Sequence, residues 1–183
     1  MLEALKEISE KLDSGHGGRP PVNIQVFLSQ ACHNAMSVQQ FSQSMEIDID
    51  RLCTSERVDG LSQIILDNLL PIPIRKRPVH CMDQQGREWM VKDHMQGWTR
   101  DKGTSLLEAA NRGITRQFQN KWAERHPGWK NDAVLSEVWS SWVATINRET
   151  APADAKKILT SLAPECAFQS SGKLTHEASD DAS

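Results

Sequence analysis

The spacing of hydrophobic positions changes several times along the chain, and each change marks an element. Leu2, Leu5, Ile8 and Leu12 recur at helical intervals, which predicts a short amphipathic helix over 2–13. Residues 14–21, rich in Gly and Pro, read as a linker. Val22, Ile24, Val26 and Leu28 then alternate with Asn23, Gln25 and Phe27, and that period of two predicts a strand. A short helix is expected over Ser29–Met36. Ser37 is placed to cap a helix beginning at Val38, and Asp48 to cap a further turn carrying Ile49 and Leu52. Residues 37–52 have the outline of a helix-turn-helix, and equally of two short helices meeting at a corner. The second piece carries Glu46, Asp48 and Asp50, where a recognition helix would carry basic and amide side chains. Val58, Leu61, Ile64, Ile65 and Leu69 form a stripe on a helix over 57–70, stopped by Pro71 and Pro73.

From 74 to 101 the period shortens again. Runs around Val79–Cys81, Trp89–Lys92 and Trp98–Arg100 are separated by turns at Gln84-Gln85-Gly86 and His94-Met95-Gln96-Gly97, the signature of a three-stranded antiparallel meander. Three strands need a helical layer on one face, and Trp89 and Trp98 are the expected contact residues. Thr104 is expected to cap a long helix over 105–125, whose buried face is Leu106, Leu107, Ala110, Ile114, Phe118 and Trp122. Gly113 reads as a weak point in it, worth ~1 kcal/mol against Ala. A helix over 131–148 follows, then a shorter one opened by Pro152 and closed by Pro164. The pattern predicts an α+β fold, a small antiparallel three-stranded meander packed against several α-helices. It divides the chain into an N-terminal helix and linker over 1–21, one domain over 22–168, and a disordered tail over 169–183.

Composition narrows the function classes. The chain has 183 residues with formal net charge −3, 38% hydrophobic and 25% charged positions, and six Trp, which suits a packed domain. No apolar run approaches the ~20 residues of a membrane helix, and the acidic N-terminal segment is unlike a signal peptide. Cys32, Cys53, Cys81 and Cys166 show no C-x-x-C spacing and are expected to be free thiols. Charge is uneven: residues 74–130 carry a local +6, between flanks of −5 and −4. Such a basic middle can meet phosphates, or it can meet its own acidic flanks.

Candidate chemistry is sparse. Cys32 with His33, and His80 with Cys81, plus Cys53 and His94, are the nearest approach to a metal set; His80 and Cys81, as neighbours on a strand, point to opposite faces, and no C-x-x-C or H-x-x-x-H spacing occurs, so no metal and no cofactor are expected. No nucleophile elbow or phosphate-binding loop motif occurs, so no catalytic residue is assigned and no enzyme activity is expected. What remains is the basic, aromatic stretch. Arg75, Lys76 and Arg77 precede the meander; Arg87, Lys92, Arg100 and Lys102 recur along it; Arg112 and Arg116 share a face of the following helix, with Lys121 and Arg125 further on. These side chains could line a phosphate backbone, with Trp89 and Trp98 stacking bases, or the tryptophans could be core and the cations their solvated backs.

The order of residues in this stretch resembles a family. The runs Arg77-Pro78-Val79-His80-Cys81-Met82-Asp83, Arg87-Glu88-Trp89-Met90-Val91-Lys92-Asp93 and Trp98-Thr99-Arg100-Asp101 resemble the core of uncharacterised proteins from nucleocytoplasmic large DNA viruses, the giant viruses. Asn23–Leu28, Cys32–Met36, Phe41 and Val58–Leu61 upstream, and Asn120, Trp122, His126-Pro127 and Trp129 downstream, fit the same family, so the likeness covers roughly residues 22–147. Many members look as if they carry a zinc-finger-like segment or coiled coil ahead of this core. Here the short helix and Gly/Pro linker stand in that place, Gln84-Gln85-Gly86 replaces a more basic turn, and Trp89 stands where Tyr is usual. The resemblance implies a viral accessory protein acting inside the host cell, in a virus factory or nucleus, or in the virion, and not secreted. The expected function is non-enzymatic binding of nucleic acid or nucleoprotein through the 74–130 surface. The alternative is a protein-interaction or virion-structural module, with self-association through the 2–12 helix.

Overall fold

The computed structural model describes residues 23–168. The expected helix over 2–13, with its role in self-association, the linker and the tail beyond 168 lie outside the described residues. Among the described residues seven α-helices pack with a three-stranded sheet: α1 (Ile24–Val26), α2 (Val38–Ser44), α3 (Ile49–Thr54), α4 (Arg57–Leu69), β1 (Val79–Cys81), β2 (Trp89–Asp93), β3 (Gly97–Asp101), α5 (Thr104–Arg125), α6 (Ala133–Asn147) and α7 (Pro152–Cys166). The α+β class and the antiparallel meander in the order β1-β2-β3 follow the sequence pattern.

The strand expected at 22–28 is not formed. Asn23 accepts a hydrogen bond from the Gln25 backbone and starts α1, which runs into a π-helical turn over Phe27–Ala31. The same residues carry a second periodicity: Ile24, Phe27, Leu28 and Ala31 share a helical face. That face packs with Cys32, Ala35, Met90 and Trp98 in a small separate core on the outer side of the sheet. Burial of this stripe outweighs the alternation.

The opposite face of the sheet, Val79, Cys81, Trp89 and Val91, joins the main core with α2–α7. Cap residues set the helix starts. Ser37 and Gln40 form a reciprocal capping box on α2, and Asp48 accepts from the backbone of Asp50 and Arg51 at α3. α5 begins differently from expectation. Gly103, at φ 89°, precedes it, the Asp101 carboxylate accepts from the Gly103 and Ser105 backbones, and Thr104 is merely the first helical residue. Nor does Pro164 close α7, which continues to Cys166. Ala167 then forms a parallel bridge to Cys81 at the free edge of β1.

Gly113 is not a weak point. A Cβ there would lie 2.7 Å from the Ser42 carbonyl and 2.8 Å from the Met45 sulfur, so the bare backbone is what lets α2 close on α5. Gly113→Ala is therefore expected to destabilise by about 1–3 kcal/mol through overpacking, despite the better helix propensity of Ala. Chemical denaturation checks the sign.

Candidate functional site: a cationic groove

The nine cations nominated by the sequence divide into two kinds. Arg77 is 8% exposed and donates to the carbonyls of Ile72, Leu70 and Glu165, tying the end of α4 to the last turn of α7. Lys92 donates to the carbonyls of His33 and Ala35 and anchors the 23–36 segment. Arg116 donates to the carbonyls of Ser42 and Gln43, satisfying orphan acceptors at the end of α2. These three are structural tethers, which corrects their assignment to a partner surface. Further along α5, Lys121 reaches the Ile47 carbonyl and Glu46, and Arg125 pairs with Asp50 at 2.6 Å. Part of the basic middle thus meets the acidic flank within the molecule, and the acidic first turn of α3 faces α5.

The tryptophans separate too. Trp89 is fully buried, its indole N–H donating to the Gly86 carbonyl at 2.9 Å, so it is a core residue and no stacking platform. Trp98 lies half-buried on the outer face, its ring 5.6 Å from that of His80.

Arg75, Lys76, Arg87, Arg100, Lys102 and Arg112 remain exposed. Arg87 and Lys102 line one groove of about 790 Å³, within the range of ligand sites. Arg148 and Lys156, which the sequence reading did not nominate, line the same groove. The floor is apolar, formed by Leu107, Leu159 and Ala155, and Glu108 and Glu149 are the two carboxylates. Lys102, Arg148 and Lys156 have no side-chain partner among the described residues, and Arg87 has a 3.9 Å contact with Asp83.

The local sequence explains why Arg87 and Lys102 converge. Each neighbours a glycine with positive φ, Gly86 at 72° and Gly103 at 89°. Both glycine backbones close on one residue of α7: a Cβ on either would stand 2.5 Å from Leu159, at its carbonyl oxygen for Gly86 and its Cδ2 for Gly103. Leu159 is wedged between the two turns and holds their cations over the groove. The Asp83 carboxylate fixes the first turn by accepting from the backbones of Gln85, Arg87 and Glu88. Slight desolvation works against its charge, but those N–H groups and the Arg87 guanidinium prevail and hold the carboxyl below its ordinary range.

The structure also brings together a Cys–His pair that adjacency could not reveal. Cys32 Sγ lies 3.7 Å from His80 Nε2, with Phe27 edge-on to the imidazole. Burial lifts the thiol to about 11, against the opposing Arg75 and Lys92 charges. Burial, aided by Arg77, lowers His80 from 6.5 to about 4. A neutral thiol against a neutral imidazole, both sealed from solvent, is an unactivated packing contact. It has a consequence for stability. Between pH 6.5 and 4 the unfolded chain binds a proton that folded His80 refuses, so stability present above 6.5 is lost as pH falls, by about 3 kcal/mol. Denaturant midpoints across this range should show the loss in the native protein and much less of it in His80→Gln. The remaining thiols are free, as expected. Among the described residues no group of three or more His, Cys, Asp or Glu could hold a metal ion, and no helix is long and apolar enough to cross a membrane.

Comparison with protein-family models, with curated proteins and with solved structures gave no match to this chain.

Proposed function

We propose that the chain is a non-enzymatic binding module that grips a phosphate-bearing macromolecule, nucleic acid or nucleoprotein, in the groove, as an accessory protein of a large DNA virus inside the infected cell or in the virion. The observation that carries this reading is the meeting of Arg87, Lys102, Arg148 and Lys156 around one recess, none of them spent on a backbone carbonyl. Exposed Arg100 and Arg112 extend the surface for a longer polymer. The Cys32–His80 contact is buried away from this recess, and the groove lining contains neither Cys nor His, which supports binding over nucleophilic chemistry.

A nucleic-acid binding titration at increasing salt tests the reading. Counterion release requires the logarithm of the affinity to fall linearly with the logarithm of salt concentration, by about 0.7–0.9 per phosphate contacted. Affinity that ignores salt, or no affinity at low salt, overturns it.

A second reading is favoured by α6. Val134 is 70% exposed and Val138 39%, an apolar face suited to a protein partner. Sedimentation that shows self-association abolished by Val134→Lys, with no nucleic-acid affinity, would favour that reading.

A further inference from the structure

We infer that residues 23–36 form an acid-released strap: protonation of His80 peels them from the outer face of the sheet and bares Met90 and Trp98, while the main core stays folded. The strap and that face share a core of their own, Leu28, Cys32, Ala35 and Met90, separate from the main one. Few polar links fasten it. Among the described residues Lys92 donates to the His33 and Ala35 carbonyls, at 2.8 and 2.6 Å, and the Met36 backbone donates to the Lys76 carbonyl. Its other contacts are apolar or aromatic, Phe27 against Phe168 among them. The chain that follows is held independently, by the Ser37–Gln40 capping box and the close approach of α2 to α5 at Gly113, so a hinge at Met36–Ser37 parts the strap from the main core. His80, 3% exposed, is enclosed by Phe27 and Cys32 of the strap and by Trp98 of β3.

This enclosure suits a neutral imidazole and rejects a cation. Its polar partner is the Cys32 sulfur at 3.7 Å, a poor acceptor. The charges that act on the pair are positive: Arg77 on His80, and Arg75 and Lys92 on Cys32. Glu88 is exposed and pairs with Arg100 at 3.9 Å, Glu165 at the end of α7 is exposed, and His33 of the strap is exposed with its Nδ1 against the Gln30 carbonyl. The Trp98 indole N–H is buried without an acceptor among the described residues, so closure already costs a hydrogen bond that opening returns to water. With the strap lifted, His80 takes its proton near the ordinary 6.5 rather than at about 4. The advantage of the closed form is therefore complete above pH 6.5 and is lost as pH falls, and the opening equilibrium should rise about 30-fold from pH 7.5 to 5.

Native-state hydrogen exchange on the full chain, at both pH values and over sub-denaturing urea concentrations, tests this. The amides of Phe27, Cys32 and Met36 should open about 30-fold more often at pH 5 than at pH 7.5, with little dependence on urea. At pH 5 they should also open at least about tenfold more often than the Leu106–Phe118 amides of α5. In His80→Gln the pH dependence of strap opening should vanish. Strap and α5 amides that open equally often at pH 5, with the same urea dependence, overturn the inference, because His80 then takes its proton only as the whole chain unfolds. Strap opening indifferent to pH in the native chain overturns it as well. Where His80→Gln melts too low for exchange, the imidazole signals of His80 in the native chain decide. Protonation while the α5 amide shifts stay in place supports the strap, and an imidazole that stays neutral until those shifts are lost contradicts it.

Discussion

Trp89→Ala is expected to destabilise the fold by about 3–5 kcal/mol. The indole is 0% exposed, on the sheet face that meets the main core. Removing it leaves a cavity that the flanking β1 and β3 pairings prevent from collapsing, since Trp89 is registered opposite Cys81 on one side and Asp101 on the other. It also removes the donor to the Gly86 carbonyl, in the turn that carries Arg87. Trp89→Phe keeps most of the volume and loses the hydrogen bond, so a cost of about 1–2 kcal/mol is expected. Urea unfolding should show both as lower midpoints at an unchanged slope. A loss below about 1 kcal/mol for Trp89→Ala would mean that the indole does not organise the core.

Lys102→Glu combined with Lys156→Glu is expected to lower nucleic-acid affinity by at least about a hundredfold, because two attractive contacts in the groove lining are replaced by repulsive ones. Stability should change little, since both side chains are exposed and have no partner among the described residues. Lys92→Met and Arg116→Met provide the contrast. Each strips donors from two backbone carbonyls, so each should lower the melting temperature while leaving the affinity of the folded protein and its salt slope intact. The opposite pattern, with Lys92 and Arg116 controlling affinity, would return the site to the surface the sequence suggested.

The contrast between those two sets shows where sequence reading succeeds. The meander was legible because its alternation is unambiguous: Val79, Cys81, Trp89 and Val91 do face the core, and the glycine turns fall between them. Helices over 57–69 and 104–125 were legible from broad apolar stripes. Residues 24–31 were misread because two periods coexist there, and only the position of Met90 and Trp98 in space decides between them. Cations are harder still. Arg112 and Arg116 lie one turn apart on the same helix, yet Arg112 is exposed and Arg116 is spent on α2, because Gly113 lets α2 approach just there. Arg148 and Lys156 were missed because they sit in an acidic third of the chain, where the segment's net charge hides them. Their one local signal is position, on either side of the Pro152 helix start. Nothing in the sequence pairs Cys32 with His80, because 48 residues separate them.

Amide chemical-shift mapping during titration with a short DNA strand tests the central claim most directly. Shifts confined to Gly86–Arg87, Lys102–Leu107 and Arg148–Lys156, the three stretches that surround the groove, are the predicted result. Shifts centred on Arg75 and Lys76 or on the Val134–Val138 face of α6, with those three stretches silent, would contradict it.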